Sequence, residues 1–475
     1  MSEEILINVT PQETRVAVVE NGVLQEVHIE RASHRGLVGN IYKGRVSRFL
    51  PGMQAAFIDI GLERTAFLQT AEMKSGDGGV ALVEGQDVTV QVVKDPIGTK
   101  GARLTTQVSL PARYVVYMPT SDHIGISQKI DDEEERERLR AAVRSAMGDE
   151  PGGFILRTMA EQASEEELKR DIRYLRKLWA RVGERMSEPG QRGLVHEDLS
   201  LVLRAMRDLV RDNVEKVRID SREMYAKAQE FALEFVPDVA PRIEYYPGER
   251  PIFDLYSVED EIKRALDRRV ALKSGGYLVI DQTEAMTTVD VNTGTYVGHR
   301  NLAETIFKTN LEAAHAIARQ LRLRNLGGMI IVDFIDMGDP EHKRQVLRAL
   351  ERALARDRVK ASIADMSVLG LVEITRKRTR ESLEHLLCET CPACKGRGVL
   401  KTPETVTYEI FREILREARQ FDTDQYLVVA SQVVVDRLND DQAQGLARLQ
   451  EFIGKPILLQ VEPLYNQEEY EVVLT

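Results

Sequence analysis

The chain has only three cysteines and one tryptophan in 475 residues, and no apolar run near the about 20 residues that cross a bilayer. Three cysteines cannot build a disulfide framework in a chain of this length. The opening Met-Ser-Glu-Glu has neither the basic start nor the apolar run of a secretory leader. Together these absences predict a reducing, cytoplasmic setting and no membrane association. A phosphate cradle is missing too. No Gly-x-x-x-x-Gly-Lys-Ser/Thr occurs and no Gly-x-Gly-x-x-Gly opens a helix after a strand, which disfavours nucleotide-driven chemistry. No Gly-x-Ser-x-Gly marks a serine nucleophile.

A basic excess is also lacking. With 76 acidic and 65 basic side chains the net charge is −11, which taken whole speaks against a polyanionic partner. The imbalance is local, however: 14 acidic and six basic residues, net −8, fall in residues 402–475. Residues 340–360 hold seven Lys/Arg against three acids, and Arg376-Lys-Arg378-Thr-Arg380 sets four positive charges in five residues. Such runs are either solvated faces or contacts to a phosphate backbone.

The length corresponds to about three domains or one elaborate one. Asn21-Gly22 between two alternating runs predicts a β-hairpin in the first thirty residues. Five short β-branched or aromatic runs between residues 38 and 108 predict a small barrel. Helices are expected over residues 131–147, from the capping box Ser164-Glu-Glu-Glu167 to about Met186, and across 196–235. Residues 236–251, with four prolines, read as a crossing or linker. From Gly275 the text alternates strand, strand, helix, strand, helix and strands, predicting a helix-flanked mixed sheet. A Cys-rich stretch at 388–398 and a compact α/β tail follow.

Lys43-Gly-Arg45-Val46, the run Gln54-Ala-Ala-Phe57-Ile-Asp-Ile-Gly61 and Ala66-Phe67-Leu68 form the pattern of an S1-type OB barrel. Such barrels stack bases on aromatics while cations follow the phosphates. Phe57 and Phe67 are therefore candidate platforms and Lys43, Arg45 and Lys100 candidate phosphate partners; the alternative is that both phenylalanines fill the barrel core.

Two apolar runs end in carboxylates: Thr288-Val-Asp290-Val-Asn292-Thr-Gly294 and Met329-Ile-Ile-Val-Asp333-Phe-Ile-Asp336. Strands placed side by side would bring Asp290, Asn292 and Asp333 together, and one or two carboxylates with open water positions suit Mg²⁺. The structural alternative has Asp290 and Asn292 shaping a turn and Asp336 capping the helix near Pro340. Cys388-Glu-Thr-Cys391-Pro-Ala-Cys394 followed by Gly-x-Gly has zinc-knuckle character, yet three thiols cannot make Cys₄. Either His385 and Cys388 complete a site within the chain or two chains each lend a pair.

The whole chain resembles the ribonuclease E/G family, most like its shorter members without a long disordered scaffold. The resemblance is carried by the 54–61 run, by Asn310-Leu-Glu-Ala-Ala with Ile317-Ala-Arg-Gln-Leu-Arg-Leu-Arg324, by residues 327–337 and by Cys391-Pro-Ala-Cys394. It implies an α/β multidomain fold: a discontinuous RNase H-like domain (1–34 and 203–265), an S1/OB barrel (35–108), a 5′-sensor domain (109–202), a DNase I-like catalytic domain (266–387), a zinc link (388–401) and a small α/β C-terminal domain (402–475).

It also implies Mg²⁺ held by Asp290 and Asp333 beside a catalytic Asn292, zinc shared between two protomers through Cys391 and Cys394, RNA contacts at Phe57, Phe67 and Lys100, and a 5′-monophosphate sensor of Arg157 and Thr158 with Val116 packing on a base. The implied activity is endonucleolytic cleavage of single-stranded A/U-rich RNA, in rRNA precursors and mRNA, by a homodimer or higher oligomer. Gln128-Lys129 and Lys360 stand where the family often carries arginines. The competing readings are a non-catalytic S1-domain RNA-binding or assembly factor and a metal-dependent phosphatase or DNase.

Overall fold

A computed structural model of the chain describes residues 2–33, 35–50, 55–69, 82–96, 101–148, 150–188, 192–211, 213–294, 302–367 and 369–475. Lys100, Gln54, Pro189-Gly190 and Asn301 lie outside the described residues. The chain divides into two compact units, Met1–Leu383 and Glu384–Thr475.

The hairpin forms as its turn chemistry requires. Strands Glu13–Glu20 and Val23–Arg31 pair around Asn21 and Gly22, which take φ of 49° and 77°, the left-handed pair a tight two-residue turn needs. Glu3–Val9 joins them, and strands Val214–Ile219 and Ile243–Tyr245 add in parallel, so both stretches of chain share one five-stranded sheet.

Two expectations are corrected here. Residues 196–235 are not helical throughout: helices Leu201–Asp208 and Arg222–Phe235 flank the strand Val214–Ile219. The supposed linker over 236–251 contributes Ile243–Tyr245 to the sheet edge. The hydrogen-bonding partner of Val214–Ile219 is Glu3–Val9, some two hundred residues away in sequence, so local periodicity carries no trace of the pairing.

Five described strands between residues 41 and 105 make a closed ring. Strand Ile41–Leu50 pairs with both Ala55–Asp59 and Asp87–Lys94, and Ala66–Gln69 and Arg103–Thr105 complete a five-stranded, S1/OB-like barrel. Ala56, Ile58, Ala66, Leu68, Val90 and Leu104 fill it. Beyond the barrel, a four-stranded sheet of Leu110–Pro111, Val115–Met118, Ile124–Ile126 and Gly153–Leu156 packs with helices Glu133–Met147 and Glu165–Ser187. Asp132 caps the first helix, and the second opens on the Ser164–Glu167 capping box.

The mixed sheet runs Arg269–Ala271, Tyr277–Gln282, Met286–Asn292, Gly328–Asp333, Leu371–Arg376, Ala361–Ile363 in spatial order. Helices Leu302–Leu323 and Pro340–Ala355 cover one face, where Leu278, Ile280, Val289, Val291, Ile330 and Val332 are buried. The period-two alternation of the strands turns Thr288, Asp290, Asp333, Glu373 and Thr375 to the exposed face. Asp339, not Asp336, caps the second helix, accepting from the Glu341 amide at 2.8 Å; Pro340 at the first helical position sets the start next to it.

In the second unit, strands Ile457–Val461, Tyr426–Ala430 and Tyr470–Leu474 form a sheet packed on helices Pro403–Gln420, Gln432–Asn439 and Ala443–Ile453. Among the described residues no helix is long and apolar enough to cross a membrane.

Candidate active site and nucleic-acid interface

Asp290 and Asp333 are direct partners in the parallel pairing of their two strands. Both carboxylates therefore leave the exposed face side by side. The Asn292 amide donates to Asp290 Oδ2 at 2.7 Å and fixes that carboxylate's rotation. Partial desolvation, then the negative charges of Asp290 and Asp336, push the Asp333 carboxyl above its ordinary value. Crowded carboxylates of this kind gain from a cation between them.

The flanking loops are held from behind by one helix. Asn310, wholly buried, donates to Ile335 O at 2.8 Å and accepts from the Ile335 amide at 3.1 Å, pinning the chain just after Asp333. Glu312 accepts from the Lys273 and Ser274 amides and pins the turn beside Asn292. Gly294 sits at φ 58° with its α-carbon against that turn; a Cβ there would stand 2.5 Å from Gly275 O. The Asn310-Leu-Glu stretch thus frames the site without touching the exposed face. Further along the helix, Arg319 donates to Leu24 O at 3.0 Å and Arg322 to Glu26 at 2.8 Å, tying the mixed sheet to the N-terminal one.

In the barrel, Phe57 and Phe67 are direct cross-strand partners with ring centroids 6.0 Å apart, edge to face. Neither belongs to the barrel core; both are half-buried on its outer side. Arg45 is exposed and donates to Gly85 O at 2.9 Å, whereas the half-buried Lys43 ammonium donates to Met186 O at 2.9 Å.

Arg157 and Thr158 follow the strand Gly153–Leu156 directly. Arg157 Nη1 donates to Ala112 O at 2.6 Å and to Asp208 at 2.7 Å, and the Thr158 hydroxyl lies 2.9 Å from that of Ser127. Burial raises the Asp208 carboxyl, but the Arg207 and Arg157 guanidiniums outweigh it and hold it below the usual range. Val116 pairs with Ile155 on the neighbouring strand, half-buried. Gln128-Lys129 and Lys360 meet in space: Lys360 Nζ donates to Gln128 Oε1 at 3.4 Å, and Lys129 Nζ reaches Asp357 O and Arg358 O at 3.5 and 3.4 Å.

Arg157 and Thr158 open onto a cleft of about 580 Å³ that the sequence reading did not find. Its other walls come from residues scattered over the chain, among them Glu26, Arg211, Arg322, Arg358 and Arg380. The basic runs 340–360, which holds Arg358, and Arg376–Arg380 were its sequence signals.

Cys391 is exposed and Cys394 half-exposed. The Gly398 and Gly396 amides, with help from Cys391, hold the Cys394 thiol below its ordinary value. Cys388 and His385 do not converge with this pair: among the described residues no group of three or more His, Cys, Asp or Glu is placed to hold a metal.

A family model described as the Ribonuclease E/G family matches residues 109–379. Ribonuclease G of Salmonella typhimurium (strain SL1344) is 55% identical over 489 residues, spanning 100% of both chains. The chain belongs to the ribonuclease E/G family. Ribonuclease G of Haemophilus influenzae is 53% identical over 487 residues, 99% of each chain. Ribonuclease E of Escherichia coli (strain K12) is 38% identical over 438 residues, 89% of this chain but 41% of that longer relative. The motifs that carry the resemblance map onto the framing helix, the paired aspartate strands and the outer aromatic pair of the barrel.

Proposed function

We propose that this chain is a Mg²⁺-dependent endoribonuclease that cuts single-stranded A/U-rich RNA, prefers 5′-monophosphorylated ends, and acts in rRNA 5′-end maturation and mRNA turnover. Membership of the ribonuclease E/G family makes it an endoribonuclease, which sets aside the non-catalytic and phosphatase readings. The observation that carries the mechanism is the in-register pair Asp290–Asp333 on an exposed face with Asn292 bonded to one of them.

Two carboxylates with open positions around them fit Mg²⁺, which binds through one or two carboxylates and keeps waters. Bound there, Mg²⁺ supplies a water of lowered pKa and neutralises charge on the scissile phosphate. Asp290 and Asp333 hold it, and Asn292 keeps Asp290 in one orientation. Phe57 and Phe67 present ring surface on which bases stack, with Arg45 for the backbone. Lys43 and Lys100 complete that reading on sequence grounds. At the other end of the strand, Arg157 and Thr158 take a terminal monophosphate through a guanidinium fork and a hydroxyl, with Val116 against the first base. The domain scheme set out above, with an RNase H-like, a sensor and a DNase I-like portion, is part of the same reading.

One short RNA with a 5′-monophosphate or a 5′-hydroxyl, assayed with Mg²⁺ or with EDTA, tests it. The expected result is Mg²⁺-dependent cleavage of both, faster for the monophosphate; equal rates for the two ends would overturn the sensing role, and undiminished cleavage in EDTA the metal role.

Zinc is the second proposed cofactor, shared by Cys391 and Cys394 of two protomers, since one chain contributes half of a tetrahedral thiolate set. Native mass spectrometry should find about one zinc per dimer, and Cys391→Ser with Cys394→Ser should release monomers. A monomer that retains its own zinc would contradict the shared site.

A further inference from the structure

The cleft beyond Arg157 and Thr158 is far larger than one phosphoryl group needs, and its volume falls in the range of small-molecule sites. Six arginines and three carboxylates line it, an excess of three positive charges. Three of the arginines are matched: Arg157 by Asp208, Arg322 by Glu26 and Arg376 by Asp357. Of the remaining three, Arg211 and Arg380 have no ion pair among the described residues, and Arg358 pairs with Glu3 from outside the cleft lining. Arg358 donates through Nη2 to Glu3 and Leu209 O, both at 3.2 Å, but its buried Nη1 has no hydrogen-bond partner. Both Arg211 and Arg380 line the cleft.

Like charges strain this wall. Desolvation and the neighbouring Arg376 and Arg204 push the Arg380 guanidinium down to about 10 against the pull of Glu26, and desolvation with Arg358 lowers that of Arg211. His28, beside them, supplies no further charge: burial and the Arg380 charge bring it down to about 4.

We propose that this inner wall is a second anion site, distinct from the Arg157–Thr158 position, where Arg211, Arg358 and Arg380 bind a free small molecule carrying two or more phosphoryl groups. Planar guanidinium forks suit adjacent phosphoryl oxygens, and the ligand relieves the mutual repulsion of the two unpaired cations Arg211 and Arg380 and meets the unpartnered Nη1 of Arg358. Because Arg157 and Thr158 line the same cleft, its occupant competes with the RNA 5′ end and slows cleavage of monophosphorylated RNA; this consequence rests on the sensing role proposed above.

Inorganic pyrophosphate is the probe. In calorimetric titration of the full chain without Mg²⁺, pyrophosphate should bind at least about tenfold tighter than inorganic phosphate, and Arg211→Gln and Arg380→Gln should each weaken it about tenfold, the loss of one charge-assisted pair. With Mg²⁺ in excess, pyrophosphate should slow cleavage of 5′-monophosphate RNA toward the 5′-hydroxyl rate, while both variants cleave 5′-hydroxyl RNA as the parent does. Equal binding of phosphate and pyrophosphate, or binding indifferent to both substitutions, overturns the site. If instead only a 5′-triphosphorylated oligonucleotide is sensitive to them, the arginines serve the RNA end and the free-ligand proposal fails. Should the sensing role alone be wrong, pyrophosphate still binds through the arginines and slows neither RNA.

Discussion

Asp333→Asn should reduce RNA cleavage by at least about 10³-fold, the loss of several kcal/mol of transition-state charge stabilisation expected when a metal-holding carboxylate is neutralised. The substitution is nearly isosteric, and the Asp333 side chain is exposed on the open sheet face, so packing is untouched. Its charge is already resisted by Asp290 and Asp336. Removing it therefore leaves thermal stability equal to or slightly above that of the parent. Activity and stability thus move in different directions, which separates a chemical role from a structural one. Asp290→Asn should be as inactive; there the Asn292 bond loses its charged acceptor. Cleavage within about tenfold of the parent for either variant would remove the aspartates from the mechanism.

Arg376→Met should lower unfolding free energy by about 3–5 kcal/mol, because it strands a buried carboxylate. Arg376 is 3% exposed and Asp357 2%, with Nε to Oδ2 at 2.7 Å. The same guanidinium donates to Leu326 O at 2.8 Å, so it also anchors the chain entering the Asp333 strand. Asp357 in turn accepts from the Val359 amide at 2.8 Å and shapes the approach to the edge strand Ala361–Ile363. Neutralising the orphan in the double variant Arg376→Met/Asp357→Asn should restore part of the loss while keeping an acceptor for Val359. Denaturant melts of the four proteins measure the coupling, and a double variant less stable than Arg376→Met would show that the buried charge is not the cause.

Much of the site was legible. Asp290 and Asp333 stood out because a carboxylate ending an apolar run is chemically out of place, and the period of a strand alone puts both on the face opposite Val289, Val291 and Val332. Phe57 and Phe67 could have been core or surface from sequence; barrel closure, with Ala56, Ile58, Ala66 and Leu68 inside, turned them outward. The strand Val214–Ile219 was missed because its reason for being a strand is Glu3–Val9. The cap at Asp339 was missed by three residues, a matter of which carboxylate reaches the Glu341 amide.

The charge balance shows the division most clearly. From sequence alone, −11 taken whole spoke against RNA and the 376–380 run spoke for it. The amino-acid order by itself determined most of the elements, the aspartate pair, the cysteine pair and the family, since each rests on local patterning or short spacing. Only the tertiary structure brought Arg211, Arg322, Arg358 and Arg380 from separate stretches to one wall. Electrostatic attraction acts over ångströms in space rather than along the chain, so where the positive charge gathers was decided by packing.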